Sequence, residues 1–304
     1  DGIAAQTYSA AALADLAFVP ANRDEIVKAG GINPLTALLY DDEDGKPRSS
    51  QKSASAALAR LATSQEQRDP DKHAEEISKV KQYAVDIAAA GAIPPLVLLL
   101  DGERGLSAQQ EAAGALYALA DDNGNRLAIT QAGGIGPLVS LLGSSNLKAR
   151  QHAEDALVRL SIESENRSVI IEKLVALLHD NNTSAQEQAA AALAKLASDS
   201  ADNRVSIVEK GGIEPLLELL EVSSLKAKEA SVLAISELAY KSREIQLAIS
   251  RAGGIPLLAN VLSSSSGNAK EMQAAQLLCS LAADAVSRLA ENNRESQVAF
   301  AEAG

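Results

Sequence analysis

The sequence predicts an all-α solenoid, a stack of three-helix repeats along one chain. Three observations predict it. A glycine-and-leucine phrase returns at a fixed spacing, two further phrases run in step with it, and the composition nearly lacks aromatics, with no Trp, five Tyr and two Phe among 304 residues. Such a core must be built from Ala, Leu, Ile and Val. Ala and Leu are the strongest helix formers, whereas sheets draw on aromatic and β-branched residues.

The first phrase is KAGGINPLTALL ending at Leu39, AAGAIPPLVLLL at Leu100, QAGGIGPLVSLL at Leu142, EKGGIEPLLELL at Leu220 and RAGGIPLLANVL at Leu262, the last one residue short. A shortened copy, IIEKLVALL, ends at Leu178 without the glycines. The spacings of 61, 42, 36, 42 and 42 give a base period of 42, with an insertion of 19 in the first interval and a deletion in the third. The second phrase is LADLA 13–17, LARLA 58–62, LYALA 116–120, LVRLS 157–161, LAKLA 193–197, ISELA 235–239 and LCSLA 278–282. The third opens with Asn-Arg at 22, 125, 166 and 203.

Each period reads as three helices. In the copy at 125–161 the first runs from Asn125 to Ala132 and is ended by Gly133 and Gly134, since glycine tolerates the left-handed conformation that closes a helix. The second begins near Pro137, whose missing N–H suits a first helical turn. After the polar loop GSSN, the third runs from about Ala149 to Leu160 and carries Ala153, Ala156, Leu157 and Leu160 on one face. No single unit buries such faces alone, so units must stack. A glycine-rich turn before a helix is also a phosphate cradle. That motif follows a strand, whereas this turn follows a helix, recurs, and runs from Gly136 into Pro137 with no G-x-G-x-x-G.

The phrases NxxxIxxAGGIxPLVxLL and ALxxLA resemble the armadillo repeat, across essentially the whole chain. Residues 1–304 are expected to form a single array: a partial repeat at 1–18, repeats at about 22–63, 81–121, 125–161, 166–198, 203–240 and 245–283, and a partial repeat at 292–304, with insertions at 40–50 and 66–80. The resemblance implies a right-handed superhelix whose third helices line a concave groove that holds a protein segment. In importin alpha that groove resembles a ladder of Asn and Trp. Here the Asn column reads Asp15, Arg60, Ala118, Arg159, Lys195, Glu237 and Ser280, and the Trp column Ala11, Ala56, Gly114, Asp155, Ala191, Leu233 and Gln276. Neither ladder is present, which argues against a nuclear transport receptor. The candidate partner-binding groove is Arg60, Ala118, Arg159, Lys195, Glu237, Gly114, Asp155 and Ala191. Arg60, Arg159 and Lys195 read as a basic stripe beside a smooth Ala/Gly floor that admits a partner helix or an acidic segment.

The net charge of −12 runs against non-specific nucleic-acid binding and favours basic partners or plain solubility. No apolar stretch approaches the roughly 20 residues of a membrane span. The lone cysteine, Cys279, forbids an internal disulfide and is expected as a small buried hydrophobe in a reducing, cytoplasmic or nuclear compartment. The chain begins at Asp1 without Met, which leaves room for a removed targeting segment.

The acidic loop YDDEDGKPRSS at 40–50 has Tyr40 and Gln51 where a calcium loop has its first ligand and its bidentate carboxylate, so it reads as solvated. In the other insertion, His73 to Ile87 reads as a lengthened first helix with Ile77, Val80, Ala84 and Ile87 on one face, either a structural extension or a partner contact. Near residue 171 the missing glycines predict a fused first and second helix and a change in superhelical path.

No P-loop, H-E-x-x-H, G-x-S-x-G or cysteine pair occurs. His73, His152 and His179 fall in different units and read as lone surface residues. Asp121 and Asp122, at a helix end, read as turn and cap residues. No enzyme activity, cofactor or metal is called for. The expected function is a non-enzymatic scaffold or adaptor binding a protein partner, as a peptide segment or a helix. Alternatives are a substrate-recruiting or regulatory domain of a larger protein such as a U-box ubiquitin ligase, and a structural subunit of a large complex. Both ends look uncapped, which points to a longer array or to covered ends.

Overall fold

The computed structural model describes residues 2–42, 49–63, 70–221, 224–263, 269–291 and 293–303. Among them the regular structure is helical throughout, as the repeats require. The contacts form two compact units, 1–166 and 167–304, where the sequence reads as one array.

Unit 1 opens with a lone third helix, α1 (Gly2–Leu16), followed by α2 (Pro20–Lys28), α3 (Ile32–Ala37) and α4 (Gln51–Leu61). The next repeat is α5 (Pro70–Ala89), α6 (Ile93–Leu98) and α7 (Leu106–Leu119), and the next α8 (Asn123–Gln131), α9 (Ile135–Leu141) and α10 (Leu147–Leu160). Then α11 (Ser164–Leu178) runs without a break through the place of two helices, as the missing glycines predict, and the division between the units falls within it. Unit 2 continues with α12 (Thr183–Asp199), the repeat α13 (Ala201–Glu209), α14 (Ile213–Glu218) and α15 (Leu225–Ala239), the repeat α16 (Arg243–Arg251), α17 (Gly254–Ser263) and α18 (Ala269–Ala290), and the first helix α19 (Arg294–Ala303). Third helices stack on third helices: α1 on α4, α4 on α7 and α7 on α10 in unit 1, α12 on α15 and α15 on α18 in unit 2. Their shared faces are alanine and leucine. Ala153, Ala156, Leu157 and Leu160 of α10 are all fully buried.

The two glycines of each turn have different jobs. Gly133 takes φ +77°, the left-handed region that ends α8. Gly134 has an ordinary helical φ of −66°, but a Cβ there would lie 2.8 Å from Ile129 Cγ2 and 3.0 Å from its carbonyl oxygen. The copy at Gly91 carries Ala92 in the second place. There the turn-closing bond, Ala92 N–H to the Ile87 carbonyl, lengthens to 3.3 Å from the 2.9 Å of Gly134 to Ile129. Asp122 caps α8 by accepting from the Asn125 N–H at 2.9 Å, as expected of it.

The insertion around residue 70 is tied into the fold. Within α5, Lys79 Nζ lies 3.0 Å from Asp24 of α2, the Tyr83 hydroxyl donates to Asp24 at 2.8 Å, and Glu76 faces Arg23 at 3.8 Å. These bonds from Tyr83 and Lys79 hold the Asp24 carboxyl below its ordinary range, while burial and the Asp24 charge push the Tyr83 phenol up to about 12. The structural extension is therefore the reading the packing supports. Residues 64–69 of that insertion, 43–48 of the acidic loop and the side chain of His73 lie outside the described residues.

One repeat boundary needs correction. The sequence places the end of the last third helix at LCSLA 278–282, but α18 runs 22 residues to Ala290. Ala282, Ala285 and Leu289 are fully buried, the pattern of Ala153, Ala156 and Leu160, so VSRLA 286–290 is the terminal phrase. The repeat extends past 283, and the groove columns here hold Asp284 and Arg288 in place of Gln276 and Ser280. Both phrases have helical spacing, and only packing against α15 chooses between them.

Gly134→Ala is expected to destabilise the chain by about 1–3 kcal/mol, because the new methyl overpacks against Ile129. Ala92→Gly should be close to neutral. Urea unfolding midpoints of the two variants check this.

Candidate functional site

A binding face on stacked helices is useful only if the helices are held still. The carbonyls at the end of a helix have no partner within it, and each third helix ends in a sharp turn. The Asn-Arg phrase supplies the donors. Asn22, Asn125, Asn166 and Asn203 donate side-chain amides to the carbonyls of Leu16, Leu119, Leu160 and Leu196, at 3.0, 3.1, 3.2 and 2.8 Å. The next residue takes the next carbonyl. Arg23, Arg126 and Arg204 donate to Ala17, Ala120 and Ala197, and Gln246 and Gln297 do the same to Ala239 and Ala290. Arg23 and Arg126 are buried, yet charged groups are rarely so unless paired. Arg126 meets Glu163 at 3.0 Å. A second clasp holds the other end: Gln51, Gln109 and Gln186, near the starts of α4, α7 and α12, donate to the carbonyls of Leu39, Leu100 and Leu178.

On the face so held, Gly114, Asp155, Ala191, Lys195 and Glu237 are half-exposed, as are Arg60 and Arg159. Ala118 is not. At 2% exposure it is buried, and Tyr117 beside it is the residue that faces out. The Ala/Gly floor is interrupted there.

The basic stripe is also rearranged. Arg60 lies 3.3 Å from Asp15 with its guanidinium 3.9 Å above the Phe18 ring. Arg159 lies 3.3 Å from Asp121, sits 4.0 Å above the Tyr117 ring and donates to its hydroxyl at 3.0 Å. Arg288 pairs with Glu237 at 3.2 Å and Asp284 at 3.0 Å. Each arginine reaches back one repeat to a carboxylate, and Arg60 and Arg159 also to an aromatic face, contacts that pair their charge locally within each unit. Phe18, Tyr117 and Asp121 were missed as partners. Their signal is in the sequence, since both aromatic–arginine pairs are separated by 42, one full period.

His152, expected at the surface, packs over Gly114, where an added Cβ would stand 3.4 Å from the imidazole. Burial holds the ring below the ordinary histidine range, against Glu111 and Asp155, which pull the other way, while Lys148 adds to the depression. His179 is exposed, as expected, and Cys279 is half-buried. No group of three His, Cys, Asp or Glu side chains with metal-binding geometry occurs among the described residues.

These features define a class: a helical repeat scaffold held together repeat by repeat. Residues 200–240 match the Armadillo/beta-catenin-like repeat family. Among solved structures, an engineered protein from the Northeast Structural Genomics Consortium is 27% identical, with a TM-score of 0.53 over 99% of this chain and 79% of its own. A second engineered protein from that consortium is 28% identical, with a TM-score of 0.52 over 84% and 97%. A designed armadillo repeat protein, solved with the peptide (KR)4, shares the fold at 23% identity and a TM-score of 0.53 over 82% and 98%. No curated protein matches the chain in sequence. The chain has the armadillo-repeat solenoid fold and carries that family's repeat at residues 200–240.

Asn125→Ala should cost about 1–3 kcal/mol, since the buried side-chain bonds to the Leu119 and Ala84 carbonyls are lost. Chemical denaturation checks it. For His152 the folded pKa lies below the unfolded value of about 6.5, so the unfolded state takes up the proton first as pH falls. Stability should therefore drop below about pH 6.5. The loss in melting temperature between pH 7.5 and 5.5 should be smaller in His152→Gln.

Proposed function

We propose that the chain is a non-enzymatic scaffold that binds a partner protein along the faces of its stacked third helices. The observation that carries this reading is the clasped stack itself. In unit 1, α4, α7 and α10 are fixed side by side, and in unit 2, α12, α15 and α18. Each row presents a half-exposed face of small and charged residues, among them Gly114 and Asp155 in one and Ala191, Lys195 and Glu237 in the other. Such a face offers repeated contacts to an extended segment or a helix, with affinity distributed over several repeats. The peptide held by the designed armadillo protein supports a polypeptide as the class of ligand. The net charge of −12 disfavours nucleic acid.

The test is positional photocrosslinking. A photoreactive phenylalanine analogue at Ala191 or Glu237 should trap the same partner. The analogue at Leu127, exposed on a first helix, should not. A partner trapped only from the first helices overturns the reading.

A further inference from the structure

The arginines of the Asn-Arg phrase differ in one respect. Arg23 faces Glu76 at 3.8 Å, Arg126 meets Glu163 at 3.0 Å and Arg167 meets Asp202 at 3.3 Å. Arg204 has no carboxylate partner among the described residues. The reason is a charge reversal at one repeat position. Glu163 lies three residues past Leu160, the final leucine of its third helix, and the matching residue past Leu238 is Lys241. In place of an Arg–Glu pair this repeat sets two cations around the Tyr240 ring, Arg204 at 5.8 Å and Lys241 at 4.9 Å from its centroid.

The surroundings do not neutralise them. Arg288 also lies near the ring, at 5.2 Å, but is already paired with Glu237 and Asp284. Glu291 acts on Lys241 through space without an ion pair, and the Lys241 ammonium bonds instead to Tyr240. Tyr240 is 39% exposed, so the ring and both cations are within reach of another molecule. Lys241 has φ 53°, the one non-glycine residue with positive φ among the described residues, a backbone state that such residues seldom occupy.

We propose that Arg204, Lys241 and the rim of Tyr240 form an anion-recognition notch that takes an aspartate or glutamate side chain of a partner protein. The missing group is defined by the chain's own repeats: one carboxylate, the chemistry that Glu163 supplies to Arg126. A singly charged group also suits a protein of net charge −12 better than a phosphate does. The notch lies just beyond the end of α15 and does not depend on the third-helix face being the docking surface.

Fluorescence anisotropy on the full chain tests this, with fluorescein-labelled hexaglutamate as probe and hexaglutamine as control, at about 50 mM salt to limit screening. Hexaglutamate should bind and hexaglutamine should not. Lys241→Glu should weaken hexaglutamate binding by about tenfold or more with an unchanged or raised melting temperature, because an Arg–Glu pair is restored. Lys241→Gly, which suits the backbone and removes the charge, should show the same loss. Lys148→Glu, an exposed reversal in the other unit, should leave binding within about twofold. No hexaglutamate binding, or equal effects of the reversals at 241 and 148, overturns the notch. Binding of a phosphoserine peptide of equal length in the absence of hexaglutamate binding overturns the carboxylate assignment. A failed crosslinking test on the third-helix face leaves these outcomes unaffected.

Discussion

At the ends of the third helices the last carbonyls keep at most a turn bond from the backbone, as Leu16, Leu119 and Leu160 do from Val19, Asp122 and Glu163, and side chains of the next helix supply further donors. At the ends of α1, α7 and α12 an asparagine reaches the leucine carbonyl and the following arginine reaches the next one, and at the ends of α15 and α18 a glutamine reaches the last carbonyl. Leaving such buried acceptors unmade costs more than the bonds contribute on average, so the donor positions are tightly constrained. Because the donors belong to the succeeding repeat, this small set of bonds sets how one repeat follows another within each unit. The stacking of alanine faces and the glycine turn depend on that geometry.

The same economy of local partners shapes the binding face. A column that a peptide-binding groove would use for side-chain amides holds the charged residues Asp15, Arg60, Arg159, Lys195, Glu237 and Arg288, of which Asp15 meets Arg60 and Glu237 meets Arg288 across neighbouring repeats. Stacking on Phe18 and Tyr117 flattens two of the arginines against the protein. The face therefore offers shape and small residues more than free charge. Its unmatched cations lie beyond the end of α15, where Lys241 replaces the acid found in the repeat at 125–161.

Much of this was legible in the sequence. The 42-residue period, the division into three helices, the capping Asp122, the two turn glycines and the fused α11 are all set by neighbours within a few residues. What was not legible required side chains a period away. LCSLA and VSRLA are equally good helical phrases, and only the buried faces of Ala282, Ala285 and Leu289 show which one ends the helix. His152 read as a surface residue because nothing near it in the chain reveals that Gly114 leaves room for its ring. Ala118 and Tyr117 exchanged roles because one residue of helix rotation decides which faces outward.

The sequence by itself determined the repeat, its period and the places where the period breaks, because periodicity and backbone conformation are properties of short stretches. Only the tertiary structure decided which charges are paired, which alanines are surface and where the last third helix stops. Those outcomes depend on distances between residues about 40 positions apart, and such distances exist only once the helices have stacked.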